Sequence, residues 1–425
     1  MKLPVSSWVV LLCVLAIRLV MIPAFPDFRF PDEFWYTEIA QNLLSGNGYV
    51  MTGHSIQRFA ICKAPGLPFT LAAWGLVFPL TPVSVKVANC LLNWGGIAFL
   101  TLAAHRISRA RWCAPLTALV AGFHPAVLFS GLTNYPQNGQ LFLLGLLVWR
   151  LACRDKHAFK SIVRDGVLIG FGALFVPTHI FAVPAPIVFY AISTWGMGQR
   201  ANNRLMGASI NRQRINSSLK SAAALFVGGL IAVSPWLVRN AITEKDFIPF
   251  TATSGQQFYT GFNEQAGMNT GTCIEPSEEM LAELQAAKNG TEFESVHWKY
   301  ALQWVQQHPG KAMTLWGLKF LNWFRWDNGA LNTESAGVGG WSDWMQRLSS
   351  LFVFGICAVG CLRMWPAEKR WVLFAALLMV ANAFGHAFFI SRYRYRLPFE
   401  PLLLMVGVCG LFQARKRTSR PGAAG

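Results

Sequence analysis

Apolar residues along this chain come in long blocks separated by short polar stretches, not in the alternation of a strand or the one-sided stripe of a soluble helix. Runs such as 5–24, 83–104 and 371–390 reach the roughly 20 residues that carry a helix across a hydrocarbon core of about 30 Å. Backbone groups in lipid must find partners within their own segment, so these runs are helices. With the apolar runs at 65–80, 114–130, 139–151, 167–195, 222–238, 350–364 and 397–411, the pattern predicts an all-α polytopic membrane protein of about 10–12 transmembrane helices. Segment 167–195 holds Pro177, Pro184 and Pro186, which predicts a hairpin broken near Pro177, Thr178 and His179.

Composition agrees with lipid solvation: 53% of the residues are hydrophobic, only 13% are charged, and no polar coat large enough for a 425-residue globule is available. The net charge of +17 is a topology signal. Basic residues collect between spans, at 106–111, 150–164, 200–220, 369–370 and 415–420, which marks those loops as cytoplasmic; they form no aromatic-interleaved stripe of the kind that binds nucleic acid. Acidic residues fall in 27–38 and 244–294, which should face outward. Two full crossings by 65–80 and 83–104 would leave the basic loop 106–111 outside, so either one of them is short or re-entrant or that loop breaks the charge rule.

These signals predict one membrane domain over 1–425, with a first outer loop at 26–64, a large outer or juxtamembrane region at 241–347 and a cytoplasmic tail at 414–425. Arg18 interrupts the first apolar block and no small-residue cleavage site follows it, so a retained helix is expected rather than a signal peptide. Tryptophans 316, 323 and 326, with Lys319 and Arg325, predict a helix lying in the interface plane. Of the nine cysteines, only Cys62 and Cys273 fall in outer loops, where a disulfide would survive.

The densest polar chemistry directly follows the first span. Pro31 and Asp32 fit the first turn of a helix, Phe34, Ile39, Leu43 and Leu44 give that helix an apolar face, and Gly46 and Gly48 end it. Asp32 is then either a helix cap or a general base that takes a proton from an attacking hydroxyl at the membrane surface. Glu33 is a second candidate. Adjacent carboxylates without a third ligand make a weak metal signature, so no cofactor is expected, with a divalent cation kept as the alternative.

Pro31-Asp32-Glu33 with Tyr36, Glu38 and Ile39, then Ser45-Gly46-Asn47-Gly48, Lys63-Ala64-Pro65-Gly66, Tyr135-Pro136, Pro235-Trp236-Leu237-Val238-Arg239-Asn240, Tyr259 with Gly261 and Asn263, and Ser391-Arg392-Tyr393-Arg394-Tyr395-Arg396 form an ordered series along the chain. In this order the series resembles the GT-C glycosyltransferases, specifically the protein O-mannosyltransferase-like group that includes aminoarabinose and galacturonic acid transferases acting on lipopolysaccharide. The resemblance implies a polyprenyl-phosphate sugar donor and an envelope lipid, glycan or protein acceptor. It places the active site on the periplasmic or outer face of a bacterial inner membrane, with Asp32 as the catalytic residue.

A lipid phosphate leaving group needs cations, for which Arg58, Lys63, Arg239, Arg392, Arg394 and Arg396 are the candidates. Tyr36, Glu38, Tyr135, Tyr259 and Asn263 are expected around the cavity. The chain departs from the group at Tyr135-Pro136-Gln137-Asn138, where relatives often carry an acid. The reading from another class is a transporter or flippase of a lipid-linked sugar, for which the broken hairpin speaks.

Overall fold

The structure is a computed structural model that describes residues 3–52, 59–153, 158–201, 207–269, 275–327 and 341–413, without the side chains of 194–201, 207–214 and 341–343. Every regular element among the described residues is a helix. Helix α1 (Val5–Met21) runs into a 3₁₀ turn to Ala24 and hands the chain to α2 (Pro31–Leu44), which carries Asp32 and Glu33. The next helix, α3 (Gly66–Gly75), has 10 residues, about 15 Å of helix and half of what a crossing needs. It folds back on α2, where Gly75 meets Leu44. Helix α4 (Pro82–Ser108), capped by the Thr81 hydroxyl and started by Pro82, has 27 residues and makes the crossing alone. The short segment that the charge pattern allows for is therefore 65–80.

Helices α5 (Cys113–Gly122) and α6 (Pro125–Ser130) are separated by a break at Phe123 and His124, and Pro125 starts α6. Helices α7 (Gln137–Ala152), α8 (Phe159–Phe175), α9 (Pro184–Ala201) and α10 (Gly207–Thr243) follow. Between α8 and α9 the backbone is extended at Val176 and then turns through a 3₁₀ segment, Pro177–Ala182, so the hairpin breaks where its prolines predict. The polar region holds α11 (Ser254–Gly261), α12 (Glu278–Ala286), α13 (Gly290–Gln307) and α14 (Pro309–Asn322). Helix α15 (Trp341–Ala387) is two limbs, because Glu368, just after Pro366, leaves helical geometry at φ −139° and ψ 45°. Short α16 (Tyr393–Arg396) and α17 (Glu400–Leu411) complete the described chain.

With no water to drive association inside a bilayer, helices gain by close backbone approach at small residues. A Cβ on Gly145 of α7 would strike the Gly96 carbonyl of α4, one on Gly228 of α10 the Val163 carbonyl of α8, and one on Gly410 of α17 the Gly360 carbonyl of α15. Helix α17 is buried along its whole length and forms the axis of the main apolar cluster. Cys113 and Cys409, at 3.6 Å, meet at the end of the bundle that carries Arg109 and Arg111. The Asp32 end lies opposite.

At the Asp32 end of α17 sits a charge pair with no solvent exposure. Arg396 Nε donates to Glu400 Oε1 at 2.9 Å, and its Nη atoms donate to the carbonyls of Trp323 (2.7 Å) and Arg325 (2.8 Å) and to Ser350 Oγ (2.8 Å). The Tyr393 hydroxyl donates to Glu400 Oε2 at 2.7 Å, and His124 Nε2 lies 3.3 Å from the same oxygen. Arg396 was expected to bind a donor phosphate, and the structure corrects this: its guanidinium is consumed inside the protein and ties α14, α15 and α17 together. Breaking a buried pair from one side leaves an unanswered charge, so Glu400→Leu should cost about 3–5 kcal/mol, while the double change Arg396→Leu with Glu400→Leu should recover most of that loss. Thermal unfolding of the purified proteins in one detergent checks both.

Candidate active site

Helix α2 begins at Pro31, with Asp32 and Glu33 as its second and third residues. Glu33 reaches back over the first turn: Oε2 accepts from the backbone N–H of Arg29 (2.8 Å) and Phe30 (3.0 Å), the acidic half of a capping box. Its Oε1 accepts from the Asn134 N–H at 2.8 Å, and the Asn134 amide returns a bond to the Glu33 carbonyl at 2.9 Å. Glu33 is 1% exposed. It is the cap, and its expected catalytic part is corrected accordingly, because both oxygens are committed to backbone donors. Asp32 and Glu33 thus turn to different partners. Among the described residues, no three His, Cys, Asp or Glu side chains are grouped to hold a metal.

With the capping work done by Glu33, Asp32 is left for other contacts. Lys63 Nζ donates to Asp32 Oδ1 at 2.8 Å, and Arg394 Nη1 stands 3.7 Å from Oδ2. The Asp32 side chain is 27% exposed, while both cations are more enclosed. Burial by itself would raise the Asp32 carboxyl, but Lys63 and Arg394 outweigh it and hold the group below the usual carboxylate range.

Each cation is itself fixed by aromatic rings and backbone. Lys63 Nζ lies 4.0 Å from the centre of the Trp35 ring and 6.0 Å from that of Tyr36, and the Tyr49 hydroxyl donates to the Lys63 carbonyl at 2.8 Å. The Arg394 guanidinium lies 5.6 Å from the Tyr135 ring and 5.0 Å from the Tyr395 ring, and its Nη2 donates to the Tyr395 hydroxyl at 2.9 Å. Phe30 packs against Tyr135 at 5.8 Å. A narrow cleft runs on from this point, lined by Phe30, Ser130, Thr133, Tyr135, Gln137 and Arg394. Burial raises the Tyr36 and Tyr135 phenols, with the Asp32 charge acting in the same direction, so both stay neutral hydrogen-bonding groups beside the carboxylate.

The structure therefore brings together Asp32, Lys63, Arg394, Tyr36 and Tyr135 from four separate stretches of sequence. Arg239 sits one layer behind: it pairs with Glu244 at 2.8 Å and faces Tyr49 (5.5 Å) and Trp236 (5.1 Å). Arg392 is buried at the start of α16, and its carbonyl accepts the Tyr395 N–H at 3.1 Å.

Three expected cavity residues have local tasks instead. The Glu38 carboxylate takes the Thr52 N–H at 2.7 Å and the Thr52 hydroxyl, Asn263 folds onto the Tyr259 carbonyl at 2.7 Å to close its own helix, and Tyr259 packs edge-on against His297. Arg58 and Cys273 lie outside the described residues, and the Cys62 thiol donates to the Ala252 carbonyl at 3.1 Å. The residues that sequence reasoning missed are Trp35, Asn134 and Tyr395. Tyr395 alone had a signal, since it alternates with the arginines on which attention fell.

No protein-family model and no curated protein matches the chain. Among solved structures it is similar to ArnT from Cupriavidus metallidurans bound to undecaprenyl phosphate, with 14% identity over 96% of this chain and 79% of that one and a TM-score of 0.43. The same protein in its apo state gives 15% identity over 96% and 78% and a TM-score of 0.39. The archaeal oligosaccharyltransferase AglB from Archaeoglobus fulgidus, in complex with an inhibitory peptide and a dolichol-phosphate, gives 13% identity over 94% of this chain and 50% of that one, with a TM-score of 0.47.

A carboxyl held low in the folded protein stabilises it above its unfolded pKa of 3.8, and that stability is lost as pH falls through the lower folded value. Wild type should therefore melt above Asp32→Asn at neutral pH, and the gap should close below about pH 4. Paired thermal melts across pH 3–7 measure it. A gap independent of pH would contradict the ion-paired state of Asp32.

Proposed function

We propose that this chain is a membrane glycosyltransferase of the GT-C kind, moving a sugar from a polyprenyl phosphate to a hydroxyl of a lipid, glycan or protein acceptor on the outer face of a bacterial inner membrane. One observation carries the reading: a single partly open carboxylate is clamped between two cations at the end of a lipid-solvated bundle. A structural ion pair needs one cation. A site that must also hold a lipid phosphate needs more positive charge than its own carboxylate neutralises, and this one has it. The ordered motif series supports the same reading, and the aromatic rings around Lys63 and Arg394 are suited to a sugar face.

In this reaction the acceptor oxygen attacks the anomeric carbon, the bond from that carbon to the phosphate oxygen breaks, and the electron pair leaves with the polyprenyl phosphate, inverting the configuration. The acceptor proton goes to Asp32. Paired with Lys63 and Arg394, Asp32 is a weak base. A phosphate drawn to the same two cations competes for them and returns basicity to the carboxylate, so the base becomes effective when the donor is in place. Lys63 and Arg394 then stabilise the charge that develops on the leaving phosphate. No acid from the Tyr135 loop takes part, because that loop presents Tyr135 and Gln137 to the cleft and turns Asn134 and Asn138 inward, to Glu33 and to Asn89.

Cells carrying wild type should show a sugar-bearing envelope lipid or glycan that cells lacking the protein do not, and Asp32→Asn should lower its rate of formation by about 10²–10⁴-fold. Mass spectrometry of extracted envelope lipids and glycans reads this out. A folded Asp32→Asn protein that supports the native rate would remove Asp32 from the reaction.

A further inference from the structure

Helix α14 has an inverted character for a helix at a protein surface. Its outer face is apolar, with Met313, Leu318, Leu321 and, just beyond its end, Phe324 exposed. Its inner face presents Lys319 and Asn322, followed at once by Trp323, all three fully buried. The polar groups grip one stretch of chain. Lys319 Nζ donates to the carbonyls of Gly261 (2.5 Å) and Phe389 (3.0 Å), Asn322 Nδ2 donates to the Ser391 carbonyl (2.8 Å), and the Trp323 carbonyl accepts from Arg396 (2.7 Å). The stretch so held, 389–396, is the one that presents Arg394.

A column of rings then runs from α14 to that guanidinium. Trp323 stacks on His386 at 4.8 Å and 21°, and His386 stacks on Tyr395 at 4.9 Å and 28°. His386 Nδ1 lies 3.2 Å from the Ile390 carbonyl, which only accepts, so Nδ1 carries the proton and the ring plane is pinned. The Tyr395 hydroxyl ends the column by accepting from Arg394 Nη2.

We propose that Trp323, His386 and Tyr395 are positioning residues for Arg394: the column sets the direction in which its guanidinium meets a lipid phosphate, and the membrane-facing helix α14 anchors the column. This rests on the phosphate-binding role given to Lys63 and Arg394 above. It assigns to α14, which touches neither Asp32 nor Lys63 through these bonds, control over how well the phosphate is held. Trp323 and Tyr395 should therefore act on phosphate binding only through Arg394.

The test is binding of undecaprenyl phosphate to the purified full chain in lipid nanodiscs, followed by native mass spectrometry. Tyr395→Phe, which keeps the stacked ring and removes the acceptor, should weaken binding about five-fold, and Trp323→Leu about as much or more. In an Arg394→Ala background neither change should weaken binding further, because coupled residues are not additive. Losses of full size in that background would mark a general structural effect and overturn the proposal, as would wild-type affinity in Tyr395→Phe and Trp323→Leu alongside a loss in Arg394→Ala. If wild type does not bind the lipid, or Lys63→Ala and Arg394→Ala bind it unchanged, the parent reading fails and this one falls with it.

Discussion

Glu400 and Arg396 face each other with no exposure to solvent, and the Asp32 end of the protein is built outward from that pair. Removing both charges from water is costly, and the cost is offset by the hydrogen bonds that the guanidinium and the carboxylate make around the pair. The partners come from different parts of the chain: the end of α14 through two carbonyls, α15 through Ser350 and α16 through Tyr393, while His124 of the break between α5 and α6 lies 3.3 Å from Glu400 Oε2. Satisfying one buried pair thus ties α14 and α15 to α16, the turn that carries Arg394 to Asp32.

The same demand acts a layer further out with a different result. Asp32 is also paired, but one of its cations, Arg394, lines a cleft and the carboxylate retains some exposure. Deep in the bundle, charge pairing produces a fixed joint. Nearer the surface it leaves a partly exposed carboxylate between two cations, for which, in the function proposed here, a lipid phosphate competes. The reading of Asp32 as a base depends on that difference in depth.

Much of this architecture is legible in the sequence, because lipid imposes constraints that hydrophobic blocks and basic loops report directly. The charge pattern asks for a short segment among the two runs before the first basic loop, the structure identifies it as α3, and the break at Pro177–Ala182 follows from its prolines. Side-chain roles were less legible, for geometric reasons. Arg394 and Arg396 look equivalent as members of one alternating triplet. The segment is a turn of helix, in which residues two apart differ by about 200°, so one guanidinium meets Asp32 and the other enters the core. Asp32 and Glu33 are adjacent acids, yet it is the third residue of the helix that reaches back to the N–H groups of Arg29 and Phe30, which makes Glu33 the cap and leaves Asp32 to Lys63 and Arg394. The roles of Asn134 and Trp35 depend on long-range packing that no local pattern records.

The central claim is that this site makes a covalent bond, not that it moves a lipid. The most direct measurement reconstitutes the purified chain in sealed vesicles with a polyprenyl-phosphate sugar labelled in the sugar, adds an envelope extract as acceptor, and follows the label. Label leaving the donor and becoming covalently attached to acceptor, with unsubstituted polyprenyl phosphate released in equal amount and the process abolished in Asp32→Asn, is the predicted result. Label that crosses the bilayer still attached to its original lipid, with no new bond formed and no dependence on Asp32, would contradict the account.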